Sequence, residues 1–373
     1  MLLMGRVKWK IDVGLVILFC GLPALGCDLP HPSADKPALS PARLIEAGHD
    51  ILAKAALTPL VEAEPSNANA AWLLSKALSG LNNPEAALIY AERAVALDAD
   101  NAAYHVQLGA VLGRLAEKAS MFKQLGLARR TRKALETAVT LDPRNLDGLY
   151  GLMLYYFSAP SFMAGDKAKA GDLAARMTAV DPVRGWMARA SLAHESKDAA
   201  QELDFRRRAV EADPGNFDAQ SELAQYYRDL PTPDNSVLET SACKLLEINP
   251  DRPDGWRILA EIHVASHCWT ELDEVLQLSE QFNHEDLSPY YAAASAMVRL
   301  EERLPAARAY LEKYLAQPVE GGEPSHAMAR WQLATLLEKD QHTDEAVAQL
   351  ELALQQEPGL EAAKKDLKRL KGK

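Results

Sequence analysis

One five-residue turn returns along this chain in altered spelling: LDADN at 97–101, LDPRN at 141–145, VDPVR at 180–184, ADPGN at 212–216 and INPDR at 248–252. Each copy has an apolar residue, an Asp or Asn, usually a Pro, and then a polar pair or its equivalent. Numbered by the Pro or the residue in its place, the joints fall at Pro65, Ala99, Pro143, Pro182, Pro214, Pro250, Pro318 and Pro358. The steps are 34, 44, 39, 32, 36, 68 and 40 residues. Self-similarity at such periods marks a stack of units rather than a single globule. The step of 68 is twice 34, so one joint has lost its spelling, near FNHED at 282–286. Strong helix formers dominate between joints and β-branched runs are scarce, so the units are helical.

The inner pattern carries a resemblance. Trp256, Leu259, Ala260 and His263 fit the first helix of a unit, and Ala306, Tyr310 and Pro318 fit the second. Leu108-Gly109, Leu333-Ala334, Ala346 and Ala353 take the same places elsewhere. Small residues let antiparallel helices approach, and the Pro stops the second helix. This pattern resembles the tetratricopeptide repeat, a helix–turn–helix unit of 34 residues. The resemblance implies an all-α, right-handed superhelical solenoid of antiparallel helix pairs. It spans residues 41–358 in about nine units, the first short. Residues 359–373 read as a C-terminal capping helix, apolar positions alternating with Lys364, Lys365, Lys368, Arg369 and Lys371.

The start of the chain differs. Arg6, Lys8 and Lys10 precede an apolar run from Val13 to Leu22 and the small residues before Cys27, which describes an export signal over 1–26. PALGC resembles a bacterial lipoprotein signal, although Ala24 and Leu25 stand in reversed order, and ordinary cleavage fits equally well. Cys27 is therefore a lipidation candidate and residues 27–40 a Pro-rich tether. The expected location is the periplasm, or a lipid anchor in a bacterial envelope. In such a compartment Cys243 and Cys268 are candidates for a disulfide, but their places are offset along the helices, so free thiols are the expectation.

Two long steps hold insertions around 118–130 and 158–167, with Met121, Phe122, Phe162 and Met163. Apolar side chains in an insertion either bury or wait for a partner. The pair of insertions resembles those of exported bacterial repeat proteins with no assigned chemistry.

Catalytic signals are thin. His263, His267 and Cys268 form H-x-x-x-H-C, which puts two His on one helix face, yet His263 fills a packing position and no Glu follows it. A metal-dependent enzyme at His263 and His267 is the alternative reading, and a structural oligomer a third. No phosphate-binding or nucleophile-elbow motif is present, so no cofactor is expected. The net charge of −11 argues against broad nucleic-acid binding. The runs at 129–133 and Arg206-Arg207-Arg208 read as solvated surface.

The expected function is a non-enzymatic scaffold that holds a protein or peptide in a concave groove. The family resemblance implies that Trp186 and Trp256 pack between helices. It places Trp72, Tyr150, Tyr291 and Trp331 in the groove, with Lys76, Gln225, Arg228, Arg257 and Glu261 on the same side. The Asn and Lys set with which chaperone-binding members clamp a C-terminal carboxylate is missing, so that function is not expected.

Overall fold

The computed structural model describes residues 28–32, 39–318 and 324–372. The export-signal and Cys27 readings lie outside these residues. Nine helix pairs and one last helix make up the described chain. The first helices are α1 (Pro41–Glu46), α3 (Ala68–Gly80), α5 (Ala102–Lys118), α7 (Leu146–Ser158), α9 (Pro182–Glu195), α11 (Phe217–Arg228), α13 (Asp254–Ala265), α15 (Ser288–Leu300) and α17 (His326–Lys339). The second helices are α2 (Asp50–Ala63), α4 (Pro84–Leu97), α6 (Met121–Leu141), α8 (Lys167–Val180), α10 (Ala199–Ala212), α12 (Asn235–Ile248), α14 (Trp269–Phe282), α16 (Leu304–Leu315) and α18 (Thr343–Gln356). Helix α19 (Glu361–Lys371) packs against α18. No strand occurs among the described residues.

The recurring turn is a pair of side-chain caps. Asp142 ends α6 and its Oδ1 accepts the Arg144 N–H at 3.0 Å, while Asn145 Oδ1 accepts the Gly148 N–H at 2.8 Å and starts α7. Asp or Asn at the first place builds the turn, and Asn at the last satisfies a helix N–H that would otherwise be orphaned. Asp213 and Asn216 repeat the arrangement. The disguised joint uses Asn283, whose Oδ1 accepts from Glu285 N and Asp286 N, both at 3.1 Å. At Asp181 one residue does both jobs, ending α8 and capping α9.

Consecutive helices pack in order, and most first helices also touch the next first helix: α1 with α3, α3 with α5, α5 with α7, α7 with α9, α13 with α15, and α15 with α17. Second helices make no comparable contact with one another. The first helices therefore lie closer together and line the concave side. Gly185 shows how tight the joints are, since a Cβ there would stand 2.2 Å from Thr178 Cα. Between units seven and eight the stacking changes. Helix α15 leans as heavily on α13 as on its own partner α16, touching α14 little, and buries residues on every side, from Tyr290 and Tyr291 through Ala292, Ala293 and Ala294 to Met297. Its run of alanines permits that approach.

The N-terminal pair meets this junction. His49 Nδ1, at the start of α2, lies 3.7 Å from Glu285 Oε2, both side chains largely covered. Leu29 packs against the large cluster formed by α11 to α19. The insertions resolve differently from each other. The first lengthens α5 to 17 residues and α6 to 21. The second forms a short 3-10 turn, Ser161–Met163, in which Met163 is buried and Phe162 is not.

Candidate peptide-binding groove

The concave wall carries two adjoining clefts. The larger, about 450 Å³, opens between four successive first helices, α7, α9, α11 and α13. Tyr150, Met187, Ser191 and Gln225 contribute to it, with the charged residues Arg184 and Glu222. Tyr150 Oη lies 3.2 Å from Ser191 Oγ across the α7–α9 seam. Ser221 donates to Asp254 Oδ1 at 2.7 Å, joining α11 to α13, and Gln225 Nε2 donates to Ser221 Oγ at 3.2 Å.

Ion pairs hold the floor. Arg206 reaches Glu202 at 2.8 Å and Glu222 at 2.9 Å, while Arg252 lies 3.6 Å from Asp254 and 3.9 Å from Asp218. Burial pushes the Glu222 carboxyl above its usual range, and Arg206 opposes that shift. Arg206, expected on a solvated face, is instead half-buried under the cleft. Arg207 donates to Tyr227 Oη at 3.2 Å, and Arg208 pairs with Asp204 at 2.9 Å.

The second cleft, about 220 Å³, is lined by Arg228, Ile258, Glu261 and Arg299 among others. Burial raises the Glu261 carboxyl, and Arg228 and Arg257 pull it back down. Arg257 Nε is buried without a hydrogen-bond partner, and Arg228 lies 3.3 Å from Asp229. Thus Tyr150 and Gln225 meet in one cleft, and Arg228 and Glu261 in the next.

The remaining aromatics bridge successive first helices outside these clefts. Trp72 on α3 meets Tyr104 on α5 with ring centroids 5.9 Å apart, and Lys76 Nζ sits 5.0 Å over the Trp72 ring. Trp331 Nε1 donates to Asp366 Oδ2 on α19 at 2.9 Å. Tyr291 is a correction: it is only 7 % exposed, accepts from Gln332 Nε2 at 3.1 Å and packs on Tyr314. Expected in the open groove, Tyr291 is taken inside because α15 sinks against α13.

Trp256 is 1 % exposed, donates to the Pro250 carbonyl at 2.8 Å and packs on Phe282. Trp186 is only half-buried, stacked on Phe205 at 5.6 Å with Arg189 and Arg208 over its ring.

The alternative metal reading also changes. Helix α13 stops at Ala265, and His267 has φ 57, so the two His do not share a helix face. His267 Nδ1 lies 2.7 Å from Glu302, and burial lowers the His263 pKa. No cluster of three or more His, Cys, Asp or Glu fit for a metal exists among the described residues. Cys243 and Cys268, expected as free thiols, are both disulfide-bonded. Periodicity assigns a helix position and does not say which sulfur a side chain reaches.

Sequence reading missed Arg184, Asp218, Glu222, Arg252 and Asp254. A signal existed for three of them. Arg184, Asp218 and Asp254 all fall within the first three residues of a first helix and directly precede a small residue, Gly185, Ala219 or Gly255, as Asp147, paired with Arg184 at 2.5 Å, precedes Gly148.

Residues 68–101 match the tetratricopeptide repeat family model. That stretch is one unit, α3 with α4, at the 34-residue period. No curated protein matches the chain. Among solved structures, the chain is similar to a thermophilic tetratricopeptide protein of Thermus thermophilus (18 % identity, covering 50 % of this chain and 94 % of that one, TM-score 0.45). It is similar to a tetratricopeptide repeat protein of Parabacteroides merdae (17 %, 70 % and 98 %, TM-score 0.47) and to yeast Tom70 (14 %, 89 % and 80 %, TM-score 0.49).

Proposed function

We propose that this chain is a non-enzymatic scaffold that holds an extended segment of a partner protein along its concave wall. The observation that carries the reading is the cleft between α7, α9, α11 and α13, where four units each contribute side chains to one surface. Of its polar groups, Tyr150 and Ser221 are held by bonds across the seams and Gln225 by Ser221 within α11, so they are pre-positioned for a ligand backbone. Tyr and Arg at such a surface suit a binding hot spot.

The protein works outside the cytoplasm in this reading, either free in the periplasm or anchored by a lipid on Cys27. Two disulfide-bonded cysteines belong to an oxidising compartment. Mass measurement of the native N-terminus tests this: a chain beginning at Met1 and recovered from the cytosol refutes it, and a diacylglycerol mass on Cys27 selects the anchored form.

A photo-crosslinking residue placed at Met187 in the cleft, compared with one at Ile89 on a second helix, tests the groove. Capture of a protein from Met187 and not from Ile89 supports the reading, and Tyr150→Ala with Gln225→Ala then weakens that capture by about 2 kcal/mol. Equal capture from both positions refutes it.

A further inference from the structure

We propose that the edge of the array carrying the α5–α6 and α7–α8 turns docks on an anionic lipid surface. Antiparallel pairs put every turn within a unit at the same edge, so these two turns are neighbours along it. They hold the three most exposed large hydrophobic side chains among the described residues: Phe122 at 89 %, Phe162 at 77 % and Met121 at 74 %.

The first turn protrudes. Helices α5 and α6 have 17 and 21 residues, against 12–14 in the helices of the seven other complete pairs. At 1.5 Å per residue the surplus lifts the tip about 5–10 Å beyond its neighbours. Met121 and Phe122 open α6 at that tip.

The second turn is fixed in place. Tyr155 Oη donates to the Met163 carbonyl at 2.9 Å, and the Asp166 N–H donates to the Tyr156 carbonyl at 2.7 Å. Gly165 lies where a Cβ would stand 1.7 Å from the Ala159 carbonyl oxygen. Met163 is thereby turned in and Phe162 out.

Charge decides what these side chains meet. The chain as a whole is −11, yet Arg114 to Lys133 contains seven cationic residues and one carboxylate, Glu117. Arg130 pairs with Glu92 and Arg132 with Glu136, while Lys123, Arg129 and Lys133 form no ion pair among the described residues. A convex apolar tip ringed by cations suits the headgroup boundary of an anionic bilayer, with rings among the acyl chains and lysines at the phosphates. The acidic remainder of the array is repelled, which confines contact to this edge. The docking does not rest on the groove or on a lipid at Cys27.

The test is cosedimentation of the full chain with vesicles of phosphatidylcholine alone or with 30 % phosphatidylglycerol. About tenfold stronger binding to the anionic vesicles is expected, falling with added salt. Phe122→Ser with Phe162→Ser should lose about tenfold, as should Lys123→Gln with Arg129→Gln. Every variant has the same N-terminus, so any contribution from that region cancels. These side chains are exposed, and unchanged melting confirms that the variants fold. Tyr150→Ala in the groove should leave vesicle binding unchanged. Equal binding to neutral and anionic vesicles, or undiminished binding by the variants, overturns the proposal. So does light scattering that shows a dimer abolished by Phe122→Ser, because the edge would then be covered by a second copy.

Discussion

Replacing Asp50 by Asn should stabilise the N-terminal end of the array at pH 8 and not at pH 4. Asp50 opens α2 and is 8 % exposed. Its carboxylate lies against α3, where a Cβ on Gly80 would stand 1.8 Å from Oδ2. Burial lifts its pKa from 3.8 to about 6, against the pull of Lys76 and Arg114. Between those two values the folded chain holds a proton that the unfolded chain has lost. Stability from this group is therefore fully present below pH 3.8 and is lost as pH rises through 6. At about 1.4 kcal/mol per unit, the ionised form costs about 3 kcal/mol above pH 7. Asn preserves the shape without the charge but gives up about 0.5 kcal/mol of helix-dipole interaction. The expected gain at pH 8 is about 2 kcal/mol, shrinking to less than about 0.5 at pH 4. Because an end unit can open without the rest, hydrogen exchange in α2 and α3 should accompany urea denaturation. Gly80→Ala supplies a check: its cost should be large beside Asp50 and fall to about 1 kcal/mol or less in an Asp50→Ala background. A variant that gains nothing at pH 8, or gains equally at both pH values, refutes the buried-carboxylate argument.

Trp256→Ala should cost about 4 kcal/mol in urea denaturation, while Trp186→Ala and Trp72→Ala, each half-exposed, should cost about 1–2; equal losses would break the register assigned here. Deleting 359–373 uncovers Trp331, Leu350 and Leu354, so solubility should fall, and unchanged solubility and melting would remove α19's role as a cap. Reducing the disulfides of Cys243 and Cys268 should lower stability by about 2–5 kcal/mol, and melting indifferent to reductant would contradict it.

The fold was legible in the sequence because its determinants are local. Asp142 and Asn145 each act on an N–H two or three residues away, and a 34-residue period needs no long-range information to be counted. Even the disguised joint at Asn283 makes the same short-range bonds. Helix pairing and the order of contacts follow from that repetition. The groove residues were legible in part: Tyr150, Gln225, Arg228 and Glu261 line clefts because their place on the first helix follows from the period. What lay beyond reach were contacts set by how one unit rotates on the next. The cleft draws Arg184 from α9, Glu222 from α11 and Arg252 from the α12–α13 turn, and no window of sequence holds them together. Tyr291 is inside because α15 sinks against α13, an irregularity in stacking rather than in the repeat. Asp50 is buried because α3 ends in Gly80, thirty residues away, with no side chain to hold it off. Local hydrogen bonds act over a few residues and repeat with the chain; burial depends on the superhelix as a whole, so it appears only once the units are stacked.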